Sequence, residues 1–312
     1  MRAVVFAYHN MGVAGLDALE RAGFTIPLIF SHEDNPDENC WFGSVREWGR
    51  KRGIPVECPA DFREEKWTRR IAALSPEMIF SFYYRLLIPD EILAISPGGA
   101  YNLHGSLLPA YRGRAPVNWV LVNGEKQTGV TLHHLAHKPD AGDIVGQRVV
   151  PIAFEDTALA LFGKLCAAAG GLLDELLPLM KIGKAPRIKQ DLAKGSYFGG
   201  RRPDDGRICW NWPAERIYNL IRAVTDPYPG AFGEMPDASR LMVWWGLPVA
   251  ERVAAEKGKR ESPGTIVIED KVVTVQAGEG RIRLLDVQSF GERMTGDALY
   301  NFFKDREGKR IA

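Results

Sequence analysis

Long apolar runs, paired cysteines and a strong net charge are all missing from this sequence. No apolar run approaches the roughly 18 residues that a membrane-spanning helix requires, and the first residues lack the long apolar core of a signal peptide. Cys40, Cys58, Cys166 and Cys209 are scattered without a CxxC pair, so we expect free thiols in a reducing compartment. The formal net charge of +1 gives no overall electrostatic footprint for nucleic acid. We therefore expect a cytoplasmic globular protein with no membrane insertion and no nucleic-acid partner.

Two common catalytic and cofactor motifs are also absent. There is no G-x-S-x-G elbow, and HGS at 104–106 is not a strand-to-helix nucleophile turn, which weighs against a Ser-His hydrolase. The glycines of AYHNMGVAGLDAL do not form G-x-G-x-x-G, so a dinucleotide site has little support. Function must therefore be sought in other residues.

Short apolar runs alternate with helical patterns over the first half of the chain. RAVVFAY (2–8), IPLIFSH (26–32), EMIFSFYY (77–84) and GAYNLHG (99–105) are typical of buried strands. This alternation predicts right-handed crossovers and a Rossmann-like α/β domain with a mostly parallel sheet. QTGVTLHHLA and DIVGQRVVPI predict two further strands, and 156–181 predicts a long helix.

Later in the chain the pattern changes. Regular short β-like runs (LMVWWGL, GTIVIE, KVVTVQA and RIRLLDVQ) predict a small β-barrel (OB-like) domain. The stretch before them is rich in Gly, Lys and Arg and lacks apolar periodicity. We predict a first domain at 1–190, a linker at 191–205 and a C-terminal β-barrel-like domain at 206–312.

The stretch YNLHGSLLPAYRGRAP (101–116) places polar side chains at the end of a predicted strand. Ligands of such sheets bind beyond the carboxyl ends of the strands. His104, with an ordinary pKa of about 6.5, can exchange protons at neutral pH, and the amide of Asn102 can donate to a developing oxyanion. The alternative is structural: His104 satisfies buried backbone groups and Asn102 caps a turn.

Asp140 lies in KPDAGDIVGQ (138–147), at a turn between two predicted strands. A carboxylate beside a histidine orients the ring and raises its pKa. If the turn projects into the same cleft, Asp140 can do this for His104. The alternative is a turn aspartate that bonds to its own backbone.

The HHLAH stretch raises a metal alternative through His133, His134 and His137. Zinc ligands on a helix require His at i and i+4 with a third ligand elsewhere. Here the predicted strand makes His133 and His134 face opposite ways. We therefore expect no metal site.

Two charged stretches have open roles. Arg112 and Arg114 fit either two-pronged contacts to an anionic ligand or ordinary loop solubility. RRPDDG (201–206) fits either a substrate clamp or a solvated linker, and we favour the linker.

The Asn-x-His strand end, the following SLLP-x-x-R-G-x-x-P and the later Asp before Ala-Gly together resemble the folate-dependent formyltransferases. That superfamily includes glycinamide ribonucleotide, methionyl-tRNA and sugar-nucleotide formyltransferases. The resemblance implies a formyltransferase catalytic domain in 1–190, with the family's catalytic triad on Asn102, His104 and Asp140. It also implies 10-formyltetrahydrofolate as the co-substrate. The folate-binding residues implied by position are Leu86, Leu87, Ile88, Arg114, Ala136, His137, Lys138 and Pro139.

The likeness is strongest to the sugar-nucleotide formyltransferases of lipid A modification and polymyxin resistance, which act on UDP-4-amino-4-deoxy-L-arabinose. VVFAYHNMG, SPEMIFSFYYRLLI and FGGRRPDD carry it, and it fades after NLIRAVTDPYPGAF. It implies a small-molecule nucleotide-sugar substrate. Such enzymes are bifunctional, and their UDP-glucuronate decarboxylase half has no counterpart here, so we expect any decarboxylase on a separate chain.

Three alternatives stay open at this point. One is a formyltransferase for a different nucleotide amino sugar. Another is a methionyl-tRNA formyltransferase, which the near-neutral charge and the acidic EDNPDE stretch (33–38) oppose. The third is a folate-binding module without catalysis, which the presence of the triad residues opposes.

Overall fold

The computed structural model describes residues 1–34, 41–249 and 261–312. Cys40 and residues 35–38 of the acidic stretch lie outside the described residues, so nothing follows for them. The other cysteines (Cys58, Cys166 and Cys209) are free thiols, as predicted.

The chain forms two compact units. The first consists of Met1–Pro116, Gln127–Ile152 and Phe162–Gly199, and the second of Val117–Lys126, Ala153–Leu161 and Gly200–Ala312. The domain boundaries proposed from the sequence stay predictions.

The first unit is built on a seven-stranded sheet. The strands up to residue 199 are β1 (Arg2–Ala7), β2 (Thr25–Phe30), β3 (Val56–Glu57), β4 (Met78–Phe82), β5 (Ala100–His104), β6 (Arg112–Gly113), β7 (Gln127–His134), β8 (Ile144–Pro151) and β9 (Tyr197–Phe198). The helices over the same stretch are α1 (His9–Arg21), α2 (Val45–Arg52), α3 (Glu65–Ala73), α4 (Asp90–Leu93), α5 (Pro116–Val122) and α6 (Ala158–Lys181). The strand order is β3-β2-β1-β4-β5-β7-β8, and β6 pairs separately with β9.

Buried apolar runs explain why β1 and β4 lie inside this sheet. Every residue of both strands except Arg2 is buried, and strands covered on both faces carry such continuous apolar runs. The pairings β1–β2, β1–β4, β2–β3 and β4–β5 are parallel, whereas β5–β7 and β7–β8 are antiparallel. The predicted mostly parallel sheet is confirmed.

The second unit is built on a six-stranded antiparallel sheet. Its strands are β10 (Ala231–Glu234), β11 (Arg240–Val249), β12 (Ile266–Glu269), β13 (Val272–Gln276), β14 (Arg281–Ser289) and β15 (Glu292–Thr295), and its later helices are α7 (Ala214–Val224) and α8 (Gly296–Phe303). The order is β10-β11-β14-β13-β12, with β15 on β14. Ile217, Leu220 and Ile221 are buried on α7, as their helical spacing predicts.

The last residues of the chain connect the two ends of this strand order. Glu234, in β10, exchanges two backbone hydrogen bonds with Ala312, at 2.9 and 2.7 Å. Ile266, in β12, donates its N–H to the Lys309 carbonyl at 2.9 Å. Residues 309–312 therefore bridge β10 and β12, which agrees with the predicted barrel-like closure.

The part of the chain that the structure describes also contains short 3-10 helices at Leu192–Lys194, Pro203–Gly206 and Lys304–Arg306. Among the helices of the described residues, none combines the length and the apolar character needed to cross a membrane.

Candidate active site

Asn102 and His104 lie at the carboxyl end of β5. Side chains two residues apart in a strand share a face, so both project from the same side of the sheet. Asp140 follows β7 in the β7–β8 connection, and its Oδ1 lies 3.5 Å from Asn102 Nδ2 and 3.5 Å from His104 Nδ1. The structure thus brings together the three residues that the sequence pattern predicts for catalysis.

His133, on β7, belongs to the same cluster. The antiparallel register places it opposite Asn102, and the Asn102 amide donates to His133 Nε2 at 3.1 Å. His133 Nδ1–H donates to the His134 carbonyl at 2.8 Å, which leaves Nε2 free to accept that hydrogen bond. The sequence reading considered His133 only as a metal ligand. The contact between His133 and Asn102 depends on the register between β5 and β7, which a local sequence pattern cannot predict.

His104 is held between two acceptors. Its Nε2–H donates to the Tyr111 carbonyl at 2.8 Å, and its Nδ1 faces the Asp140 carboxylate. Burial lowers the pKa of His104, whereas the Asp140 carboxylate and the Tyr111 carbonyl act to raise it. As expected, the Asp140 carboxylate by itself raises the pKa of His104. Burial lowers the pKa by more, because removing the ring from water disfavours its charged form, so the pKa of His104 is lowered overall.

Asp140 is anchored as an ionised carboxylate. Burial acts to raise its pKa, but the nearby His104 and His133 rings and the Gly113 N–H lower that pKa well below its usual range. The Gly113 N–H donates to Asp140 Oδ2 at 2.9 Å. Asp140 also has a φ of 51°, in the left-handed region that suits an aspartate in a turn.

The side chain of Gln190 stabilises the connection that carries Asp140. Gln190 Nε2 donates to the carbonyls of Asp140 (3.1 Å) and Gly142 (2.6 Å). Gly142 itself has no room for a side chain, because a Cβ would lie 1.9 Å from the His134 carbonyl oxygen. These contacts hold the backbone of residues 140–142 in place, and this backbone positions the Asp140 carboxylate near the end of β5.

Ser106 does not form a nucleophile with His104. It is fully buried, and its hydroxyl donates to the Ala110 carbonyl at 2.7 Å. This agrees with the absence of a hydrolase elbow.

The three predicted folate residues after β4, at positions 86–88, differ in their exposure to solvent. Leu86 and Ile88 pack against the hydrophobic core that contains Phe6, Phe30 and Ile79. Leu87 is 79% exposed, whereas Leu86 and Ile88 are partly buried, so Leu87 presents the most exposed apolar side chain of the three.

The other predicted folate residues lie close to the first group. Ala136, His137, Lys138 and Pro139 are exposed and lead directly into Asp140. His137 Nδ1 lies 2.9 Å from an oxygen of Asp90, which begins α4 just after Ile88. Arg114 is exposed and follows Gly113, the donor to Asp140. The separate sequence segments thus border one region beside the triad residues.

The geometry does not support a metal site at His133, His134 and His137. In residues 1–34, 41–249 and 261–312, no group of His, Cys, Asp and Glu side chains is arranged to hold a metal ion. His133 is fully buried, whereas the His134 ring lies 4.7 Å from the ring of Tyr101, so the two neighbours have different surroundings.

Known structures share this fold. An N-formyltransferase from Helicobacter canadensis, in complex with folinic acid and dTDP-3-aminofucose, is 18% identical with a TM-score of 0.69 over 93% of this chain and 99% of its own. WlaRD, a sugar 3N-formyl transferase, is 17% identical with a TM-score of 0.68 over 94% and 98%. HypX from Aquifex aeolicus, in complex with tetrahydrofolic acid, is 18% identical with a TM-score of 0.59 over 97% of this chain and 48% of its own.

At such identities these structures establish the fold alone, and family membership depends on sequence. The family model for formyl transferases matches residues 15–175, which is more than half of the chain and includes the whole Asn102, His104 and Asp140 cluster. The model for the formyl transferase C-terminal domain matches residues 201–304. The chain belongs to the formyl transferase family.

Proposed function

We propose that this protein transfers a formyl group from 10-formyltetrahydrofolate to the amine of a nucleotide-linked amino sugar. The observation that carries the proposal is the position of Asp140 Oδ1, 3.5–3.6 Å from nitrogens of Asn102, His104 and His133 at the carboxyl end of β5. This cluster combines an amide donor, a proton acceptor and a fixed negative charge, which are the groups that acyl transfer to an amine requires.

The folate co-substrate supplies an activated formyl carbon. The residues beside the cluster fit it: Leu87 offers an exposed apolar surface, while residues 136–139 form an exposed segment next to Asp140. The likeness to proteins solved with folinic acid and with 5-N-formyl-THF supports this assignment. We assign folate binding to Leu86, Leu87, Ile88, Arg114 and residues 136–139.

His104 takes up a proton from the amine as the new carbon–nitrogen bond forms. Because burial lowers its pKa, the ring is ready to accept a proton at neutral pH. Asp140 stabilises the charged ring that results. As the bond between the formyl carbon and the folate nitrogen breaks, His104 passes this proton to the departing folate nitrogen. Asn102 directs its amide toward the negative charge that develops on the formyl oxygen.

His133 keeps the Asn102 amide in place for this task. One amide hydrogen of Asn102 bonds to His133 Nε2, which limits rotation of the side chain about its last torsion.

For the acceptor we propose UDP-4-amino-4-deoxy-L-arabinose. The support is the sequence likeness to enzymes of polymyxin resistance, together with the fold shared with proteins solved with dTDP or a dTDP-amino sugar.

The test is an acceptor panel. Purified protein and 10-formyltetrahydrofolate are incubated with UDP-4-amino-4-deoxy-L-arabinose, with dTDP-3-aminofucose or with methionyl-tRNA, and products are identified by mass spectrometry. We expect a formyl adduct on the arabinose nucleotide. Formylation of the other sugar alone would change the acceptor and keep the mechanism. Formylated tRNA alone would overturn the sugar assignment, and no product on any amine would leave a folate-binding module.

A further inference from the structure

Strand β6 lies against the His104–Asp140 pair along one edge. The carbonyl of Tyr111, just before β6, accepts from His104 Nε2 at 2.8 Å. The N–H of Gly113 donates to Asp140 Oδ2 at 2.9 Å. Backbone groups of one short segment thus hold both members of the pair.

The other edge of this segment is held by residues 196–198. The Tyr111 N–H donates to Ser196 Oγ at 2.9 Å, and the Arg112 N–H donates to the Ser196 carbonyl at 3.0 Å. The Arg114 N–H donates to the Phe198 carbonyl at 2.9 Å. From Arg112 to Arg114 the backbone N–H groups therefore point alternately toward residues 196–198 and toward Asp140, as in a strand with a neighbour on each side.

One peptide group connects the two edges directly. The peptide that joins Tyr111 to Arg112 accepts from His104 through its carbonyl and donates to Ser196 through its N–H. Hydrogen bonds in series polarise one another, so the Ser196 contact strengthens the carbonyl as an acceptor for His104.

The conformation of Tyr111 requires this support. Its φ is 57°, a left-handed value that a bulky residue adopts only when its surroundings hold it there. The Tyr111 ring stacks on Phe198, with ring centres 4.9 Å apart and planes 11° apart. Gly113 has a φ of 99°, and a Cβ on it would lie 2.2 Å from the Phe198 carbonyl oxygen. Residues 196–198 thus fit this backbone closely.

We infer that Ser196 is a positioning residue for His104, acting through the Tyr111–Arg112 peptide. Its carbonyl accepts from the N–H of that peptide, and its hydroxyl accepts from the Tyr111 N–H of the peptide before it. Together the two contacts hold the backbone on both sides of Tyr111, and the Tyr111 carbonyl fixes the orientation of the imidazole relative to Asp140. Only the kinetic consequence of this inference depends on the proposed function, because the orientation of His104 is a property of the free protein.

The titratable groups that act on His104 are Asp140 from the β7–β8 connection and His133 from β7. The Tyr111 carbonyl also raises the pKa of His104, in opposition to burial. Loosening the peptide weakens that hydrogen bond, so the pKa of His104 falls further.

The experiment compares Ser196→Ala with Ser196→Thr, which keeps the hydroxyl, and with Ser262→Ala, which removes an exposed hydroxyl in the second unit. The His104 Nε2–H resonance is followed by NMR in protein without ligands, and identified by its loss in His104→Gln. In Ser196→Ala we expect this resonance to move upfield and the ring to titrate at lower pH. We expect kcat to fall about fivefold with KM for either substrate within about twofold of the parent. Ser196→Thr restores both readouts, and Ser262→Ala changes neither.

An unchanged His104 resonance in folded Ser196→Ala overturns the inference, as does an equal change in Ser262→Ala. If no formyl transfer is found with any acceptor, the NMR comparison still decides the inference. If Ser196→Ala does not fold, Phe198→Leu replaces it, since this change removes the ring stacked on Tyr111 and leaves the backbone of β9. The same upfield movement is then expected, and its absence contradicts the inference.

Discussion

Asp140 is the central charge of the candidate site, since its Oδ1 faces nitrogens of Asn102, His104 and His133. Its negative charge raises the pKa of His104, although burial keeps that pKa below its ordinary value. In the proposed mechanism His104 must be neutral to accept a proton. Turnover should therefore fall as the pH drops through the pKa of His104.

Asp140→Asn removes this charge and nearly preserves the shape of the side chain. We expect turnover to fall about 100- to 10,000-fold, because the protonated His104 ring loses its stabilising partner. The remaining activity should decline at a lower pH than in the parent, since the pKa of His104 falls without the carboxylate. A pH–rate profile of formyl transfer measures both effects. Asp143→Asn is the matched control, because Asp143 pairs with Arg187 instead; a rate above about a tenth of the parent's in Asp140→Asn would contradict the role.

Asn102→Ala tests the amide donor. Loss of one donor to a developing oxyanion typically lowers turnover about 100- to 1000-fold. We expect that loss in kcat, with little change in KM for folate, because the contact is made in the transition state. Steady-state kinetics separate the two parameters. A variant with near-normal kcat and a raised KM would assign Asn102 to substrate binding.

At the scale of elements, the β7–β8 connection depends on a side chain distant in sequence. Gln190 is 8% exposed and donates to two carbonyls of that connection. Gln190→Leu keeps the approximate volume but leaves both carbonyls without this donor. We expect the free energy of unfolding to fall by about 1–3 kcal/mol, measured by urea denaturation. Lys189→Leu, at the exposed neighbouring position, should change it much less; equal losses in both variants would contradict this stabilising role.

Sequence pattern predicted the elements that have strong local signals. β1, β4 and β5 follow from apolar runs, and the alternation of Asn102 and His104 with buried residues placed both at a strand end. Asp140 was predicted from a turn between two strands. β6 and β9 were missed because each has two residues and is defined by pairing with the other. His133 and Ser196 were missed as site residues for the same reason: their contacts depend on strand register and on chain segments distant in sequence.

The whole molecule is nearly neutral, with a formal net charge of +1. Proteins that neutralise several phosphates lose about 10³- to 10⁵-fold in affinity between roughly 50 and 200 mM salt. We expect weak tRNA binding here without so steep a dependence, and sugar formylation that changes less than about threefold over that range. Filter binding of methionyl-tRNA and parallel rate measurements check this. Tight, steeply salt-dependent tRNA binding would reverse the choice of acceptor class.

The chain contains an α/β sheet and a later, β-rich sheet, as the periodicity of the sequence predicted. The mostly parallel sheet was expected from strands that alternate with helices, and the β-rich second unit from regular short runs. A barrel-like second domain was predicted, but the part that residues 309–312 play in bridging β10 and β12 was not, because GKRIA carries no strand pattern of its own.

The hydrogen bonds between β6 and residues 196–198 affect how this protein can be dissected. A fragment that stops at residue 190, the predicted end of the catalytic domain, contains Asn102, His104 and Asp140 but lacks Ser196 and Phe198. If that fragment were inactive, the loss of activity could not be assigned to the absence of residues 200–312, because β9 would be missing as well. A fragment that extends to Gly199 keeps β9, so it could separate a requirement for residues 200–312 from the loss of β9.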